Sequence, residues 1–457
     1  MSVYSPIGDI HTVRYLLTTL DPQTLGAQPI SYPIAELPFT GVTFSLAFNQ
    51  AGPFSATLNV ENAQVQNATN WIEATNPGKT FFWVIADDQI VYGGRILNRT
   101  YNLSAQQVTI TGAGFHGYWA QRLQAKDYTA FIQTYSGSYV YAWANATPTL
   151  PGVGVPAPLV AWQLLRDAAA VTGSLPNLTV PAHGTGAGSN SDPDTWLPVY
   201  PLDNLITFSA PLSQQQTIDA LLQQLVNMGG GATLATSVGC DIVTDVALDS
   251  NGNPYATTSV WWPRYGRTAA QLGDAMQVMD LSTVIDLEWN EDATAQATGI
   301  VEMNGAGGVK ASAESVDTVA LNTYHYPLVE QALCHTSTSP TTLSASVLAS
   351  LLKGDRDLYT YPQLAPVVTV PAWSSTGFSL TNLPLGDDVG MFNPYERMGQ
   401  NSTGLPSVPF PPKGSPSAYL IPLRLIRADV TIADEGVSTM ELTLNPPPGN
   451  PSPPGYG

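Results

Sequence analysis

The chain has 457 residues, room for about three domains at roughly 150 residues apiece. Only 11% of them are Asp, Glu, Lys or Arg, where an ordinary soluble protein carries about 25%. The 16 basic and 35 acidic residues leave a formal net charge of −19. That balance argues against a nucleic-acid grip built on clustered Lys and Arg, and against adhesion to an anionic membrane; it is compatible with DNA passing by without sticking.

Apolar content is an ordinary 44%, so Thr, Ser, Asn, Gln, 39 glycines and 38 prolines take the place of the missing charge. Such a composition disfavours helical bundles and coiled coils, whose surfaces need Glu and Lys in bulk. It favours many short strands, and a mainly β fold with a few helices is expected. Two cysteines, Cys240 and Cys334, make no disulfide framework and fit a reducing compartment. The opening Met1-Ser2-Val3-Tyr4-Ser5-Pro6 has no basic stretch followed by an apolar one, so no signal peptide is expected. No apolar run approaches about 18 residues, so no membrane span is expected either.

In chain order, Thr43–Phe48 and Phe54–Val60 alternate around an Asn49–Pro53 turn, the pattern of a half-buried antiparallel pair. Thr80–Ala86 is nearly continuously apolar, as a strand covered on both faces would be. Asp87-Asp88-Gln89 turns the chain into Ile90-Val91-Tyr92, and Gly93-Gly94 predicts a bulge or sharp bend before Arg95-Ile96-Leu97. With Gln107–Thr111, residues 40–115 read as a β-meander with a tendency to close.

Helices come next. Pro156–Gly173 places Leu159, Trp162, Leu165 and Ala169 on one stripe. Ser213–Gly229 offers Ser213 with Gln216 as a capping box, a stripe of Ile218, Leu221, Leu222 and Leu225, and a Gly229–Gly231 stop. Ser344–Lys353 is a third candidate. Strands then resume: a hairpin of Asp241–Leu248 and Tyr255–Trp262 around Asn251-Gly252, a pair of Val284–Trp289 with Thr298–Asn304, and a last hairpin of Ala418–Thr431 with Val437–Leu444. Residues 175–200 and 375–417 are long Gly/Pro/Ser-rich stretches of the kind that reach out to neighbours. The Pro-rich segment from Asn445 to Gly457 reads as polyproline-like or disordered.

The motifs that might carry chemistry do not converge. Gly112-Ala113-Gly114-Phe115-His116-Gly117 is a literal G-x-G-x-x-G, yet it ends an antiparallel meander, and Asp127 falls short of the ~20-residue spacing of a ribose-binding acid. A strand-to-helix corner is the better reading. Gly305–Lys310 lacks both the spacing and the Ser or Thr of a P-loop. The five histidines, His11, His116, His183, His325 and His335, show no metal-ligand spacing, and the adjacent Cys334 and His335 would point to opposite sides of a strand. Asp249–Asn253 resembles a calcium loop without its closing Glu, so a hairpin turn is expected. The carboxylate pairs Asp87-Asp88, Asp192/Asp194, Glu291-Asp292 and Asp434-Glu435 all fall at predicted turns. No nucleophile elbow and no H-E-x-x-H motif occurs. No catalytic, cofactor-binding or metal-binding residue is assigned, and no enzyme is expected.

The segment Phe81–Arg122, with Ile90-Val91-Tyr92-Gly93-Gly94-Arg95-Ile96, Val108-Thr109-Ile110-Thr111-Gly112 and Tyr118-Trp119-Ala120-Gln121-Arg122, resembles the first barrel of phage tail-hub proteins. These are the baseplate-hub-like minor tail proteins of long-tailed phages, notably those of actinobacterial hosts. The Pro158–Leu165 and Thr217–Leu222 helices fit the same pattern, and the resemblance spans about residues 35–235. It implies a structural homotrimer with two related β-barrels per subunit, forming a ring between a six-fold tail tube and a three-fold tip. The distal tail protein or tube, the tape-measure protein and tip or spike proteins reached through the C-terminal region are the implied partners, with DNA only in transit. The implied place is the virion tail tip, after synthesis in the host cytoplasm. On this reading residues 1–127 form a first hub barrel, 128–235 a small α-containing domain and 236–375 a second barrel region. Residues 376–457 then form a loop-rich C-terminal region with a final hairpin. A distal tail ring protein, or a tail protein acting on cell-wall glycan, is the alternative; the 10 Trp and 20 Tyr motivate the second.

Overall fold

The computed structural model describes residues 2–4, 10–20, 31–67, 70–125, 128–135, 138–142, 157–171, 175, 178–180, 208–226, 239–261, 277–279, 283–288, 290–292, 296–304, 312–316, 318–322, 327–335, 363–364, 366–373, 378–392, 420–435 and 437–445. The first strands are β1 (Ser2–Tyr4), β2 (Ile10–Leu20), β3 (Ser31–Glu36), β4 (Phe39–Ala47), β5 (Pro53–Asn59), β6 (Thr80–Ala86), β7 (Gln89–Asn102) and β8 (Gln107–Gly114). Two short helices, α1 (Ala63–Asn67) and α2 (Trp71–Ala74), lie between β5 and β6. A 3-10 helix, Phe115–Gln121, follows β8. The middle of the chain supplies β9 (Tyr128–Tyr135), β10 (Ser138–Ala142), α3 (Ala157–Ala170), β11 (Leu178–Thr179), β12 (Phe208–Ala210), α4 (Ile218–Val226), β13 (Asp241–Leu248) and β14 (Pro254–Trp261). Short pieces then follow: β15 (Gln277–Val278), β16 (Asp286–Glu288), β17 (Glu291–Asp292), β18 (Gly299–Asn304), β19 (Ser312–Val316), α5 (Thr318–Asn322), β20 (Glu330–His335) and β21 (Gln363–Leu364). The last strands are β22 (Val367–Pro371), β23 (Asp388–Phe392), β24 (Leu420–Ile432) and β25 (Thr439–Asn445).

The fold is mainly β, and its dominant feature is one curled, largely antiparallel sheet. Its strand order is β1-β2-β6-β7-β8-β5-β4-β24-β25-β22-β16, with β3 beside β2 and β23–β15 beside β24. An early strand and a late strand therefore pair, with Thr431 and Val430 of β24 opposite Thr43 and Phe44 of β4. The inward faces (Tyr15, Phe39, Phe44, Phe54, Phe82, Ile110, Val430 and Met440 among them) fill the sheet's core. Near the two ends of the strand order, the His11 ring of β2 stacks on Trp373 just after β22, with centroids 5.0 Å apart and planes at 14°. That contact closes the curl across its open seam.

A second core lies against the outside of β6. It gathers Phe81, Trp83, Phe115 and Trp119 with α3, α4 and the β13–β14 hairpin. All seven residues of β6 are buried, as the unbroken apolar run predicts. The pleat explains how: Phe82, Val84 and Ala86 point into the sheet core, and Phe81 and Trp83 into the second core. Polar ties fix the two cores together. Asn49, in the β4–β5 turn, donates to Asp241 at 2.9 Å and accepts from the Ile242 amide at 2.6 Å. The Trp119 indole donates to Thr258, and the segment Arg122–Gln124 exchanges backbone bonds with Gln216 and Ile218.

Several expectations are corrected. Gly93 and Gly94 are not the bulge; the extra residues on β7 are Val91 and Leu97, which flank them. The glycines answer close approach instead: a Cβ on Gly93 would stand 2.4 Å from the Trp83 ring, and one on Gly94 2.6 Å from the Ala113 carbonyl oxygen. Ser213 does not cap α4. It sits in a 3-10 turn, Leu212–Gln214, that ends in left-handed Gln215, and Thr217 accepts from the Ala220 amide as the true cap. Val284–Trp289 does not pair with Thr298–Asn304. Instead β16 pairs with β22, and β18 pairs with β19 and β20. Residues 40–115 do not run as a simple meander, since β8 returns to pair with β5. The β13–β14 and β24–β25 hairpins form as read. In α3 the expected Trp162 and Leu165 are buried, joined by Val160, Leu164 and Ala168. The Ser344–Lys353 helix, the Gly229–Gly231 stop and residues 446–457 lie outside the described residues.

Candidate functional site

The sequence motifs that fall on described residues take up structural positions. Gly112 and Gly114 close β8, and the 3-10 helix turns immediately after. A Cβ on Gly112 would lie 2.0 Å from the Arg95 carbonyl oxygen and 2.4 Å from the Phe54 ring, so the strand can only pass there as glycine. A shallow, open depression beside this corner is lined by Arg95, Leu97, Tyr118 and Gln121 among others. The Arg95 guanidinium is already spent on the Gly78 carbonyl and on Gln121.

Two histidines have partners of their own. His11 bonds Asp87 at 2.7 Å, whose other oxygen accepts from the Thr12 amide. Buried His116 meets Asp219 of α4 at 3.3 Å. That hydrogen bond lowers the Asp219 carboxyl below its usual range, against the opposing effect of burial. His335 and Cys334 are consecutive on β20; His183, His325, Gly305–Lys310 and Asp192/Asp194 lie outside the described residues. Cys240 is buried, which pushes its thiol well up. Asp87 and Asp88 occupy a turn with positive φ, and Asp434 and Glu435 the turn between β24 and β25. Glu291 and Asp292 depart from expectation by forming β17, paired with β21. Asp249 accepts from the amides of Asn251 and Asn253, which lowers its carboxyl and fixes the hairpin turn. Among the described residues no group of three or more His, Cys, Asp or Glu is placed to hold a metal. Nor is any described helix long and apolar enough to cross a membrane.

What the structure brings together is a surface. Outward positions of the large sheet line up in hydroxyl rows. One row runs Thr439, Thr431, Thr43, Ser55 and Thr111 across five strands. A second runs Thr40, Thr57, Thr109 and Thr100. β-Branched threonines are stiff, so such a face loses little side-chain entropy when it is covered. On it Arg427 grips Asp429 through two bonds of 2.7 and 2.8 Å, Ser45 donates to the same carboxylate, and exposed Glu441 stands opposite Asp429 on β25. Burial alone would raise the Asp429 carboxyl; the Arg427 and Ser45 bonds outweigh it and hold it low. Sequence reading missed these rows because they depend on strand pairing and register, and the first joins strands from opposite ends of the chain.

Among the strand edges that lack a second partner among the described residues are those of β7 and β16. Beyond Ile96, whose carbonyl accepts from the Gly78 amide, β7 has only β8 as a strand neighbour among the described residues. Its outer half carries exposed Leu97 and Tyr101, and exposed Leu103 follows at the tip. The tip is held in shape by Asn102, which accepts from Ser104 and the Ala105 amide, and by a Tyr101–Gln106 bond. At one end of the strand order β16 pairs only with β22 among the described residues and presents exposed Asp286 and Glu288, with exposed Ile285 just before it.

No protein-family model matches the chain, and no curated relative does. Among solved structures it is similar to the tail protein from Neisseria meningitidis MC58, with a TM-score of 0.50 and 10% identity over 94% of this chain and 96% of that one. The 43 kDa tail protein of prophage MuSo2 from Shewanella oneidensis aligns at a TM-score of 0.48 and 11% identity, covering 95% and 99%. The prophage tail protein gp18 from Listeria monocytogenes EGD-e aligns at 0.45 and 8%, covering 94% of each chain. Over nearly its whole length, then, the chain shares a fold with the Neisseria tail protein.

Proposed function

We propose that this chain is a structural protein of a phage tail: a homotrimeric, ring-forming hub at the virion's tail tip. It joins the six-fold tube to a three-fold tip and lets the tape-measure protein and DNA pass. The observation that carries the reading is the end-to-end likeness of fold to a tail protein, which leaves little of either chain unmatched. The neutral hydroxyl rows and the sparse surface charge support it, because such faces suit burial against neighbouring subunits. A net charge of −19 per copy supports passage of DNA without adhesion. The role is mechanical, and we assign it no reaction, metal or cofactor. The distal tail protein or tube would meet one side of the ring and tip or spike proteins the other. A cryo-EM map of the intact particle tests this. Density for three copies in a ring at the tail tip is expected; absence of the chain from purified virions would refute the reading, and six copies would favour a distal tail ring protein.

A further inference from the structure

The β7 and β16 edges of the large sheet are complementary to each other. At the root of the β7 arm the cations outnumber the carboxylates. Lys79 pairs with Glu73, Arg99 donates to the Ile72 carbonyl and to Thr75, and Arg95 donates to Gly78 and Gln121. Both arginines thus spend their hydrogen bonds on neutral acceptors, and one carboxylate stands against three cations. Glu61 lies beside the end of β5, two strands away from the open edge. This is an excess of positive charge on a chain of net charge −19. Exposed Ile72, Leu97, Tyr101 and Leu103 supply apolar surface around it.

The β16 edge is the counterpart. Asp286 and Glu288 are exposed on it, and Ile285 beside them is 56% exposed. No Lys or Arg occurs from Thr283 to Asp292.

We propose that the open half of β7 docks the acidic β16 edge of a second copy of this chain, so that the sheet of one subunit continues into the next. Backbone bonds along the joined edges supply the register, the arginines and carboxylates the orientation, and the exposed apolar side chains the buried area. The contact is head-to-tail: each copy offers an arm on one side and an acidic edge on the other. Such contacts generate rings when the rotation closes. The inference rests on the ring reading above and assigns its subunit interface.

Charge reversal tests it on the full-length chain. Arg99→Glu and Glu288→Lys should each weaken association at least tenfold by sedimentation velocity, and the double variant Arg99→Glu/Glu288→Lys should recover most of it. Arg99 also holds the Ile72 carbonyl, so a melting curve accompanies its variant; Glu288 is exposed and supplies the arm-independent check. If wild-type protein assembles and the single variants assemble equally well, this interface is wrong while the ring reading survives. The interface is also wrong if the double variant fails to recover. If wild-type protein stays monomeric at every concentration, the ring reading itself fails.

Discussion

The two cores of the molecule are held together by different means. The sheet core is enclosed by backbone ladders from β2 round to β22, so most side chains in it ride on hydrogen-bonded strands. The second core is assembled from short pieces (a 3-10 corner, two helices and a hairpin), and single side chains make many of its joints. Asn49 ties the β4–β5 turn to β13, and His116 ties the corner to α4. A ladder distributes load over many bonds, whereas a side-chain tie concentrates it. The first core should therefore be vulnerable to backbone clashes, and the second to the loss of one polar group.

The largest effect is expected where a ladder cannot move. Gly112→Ala would push a methyl group into the Arg95 carbonyl and the Phe54 ring. Destabilisation of about 3 kcal/mol is expected, read from urea unfolding followed by tryptophan fluorescence. A loss below about 1 kcal/mol would mean that β7 and β8 can separate there.

Next comes the tie. Asn49→Ala removes the bond to Asp241 and leaves the Ile242 amide without its partner, at a cost of about 2 kcal/mol. The loss should fall on the second core first, as faster amide exchange in β13 and β14 than in β4 and β5. Equal loosening of both regions would erase the contrast drawn between them.

The smallest effect is electrostatic. The His116 bond lowers the Asp219 carboxyl, so its folded value lies under the unfolded one. The stability it lends is fully present above about pH 4 and fades as pH falls through the folded value. Asp219→Asn should therefore be less stable than wild type near neutrality, with the gap narrowing in acid. A gap that does not change with pH would contradict the assignment.

Much of this was legible from residue patterns. The apolar run of β6, the Asn-Gly hairpin of β13 and β14, and the stripe of α4 each carry a local signal that survives folding. Partner choice did not. Val284–Trp289 has the composition of a strand, but nothing local tells it to lie beside β22 rather than beside β18. Gly93-Gly94 reads as a bulge because a glycine pair permits one; what requires it is the indole of Trp83, ten residues earlier on the neighbouring strand. Thr217 displaced Ser213 as cap because the Arg122–Gln124 segment pairs with Gln216 and Ile218 and sets where α4 begins. The arm and the acidic edge went unnoticed for the same reason: an edge is defined by the strand that is missing beside it.

The account turns on self-association, and the native mass of the purified full-length chain tests that most directly. At 48.5 kDa per copy, a particle of three copies at micromolar concentration is the predicted result. A single copy that persists as concentration rises would contradict it.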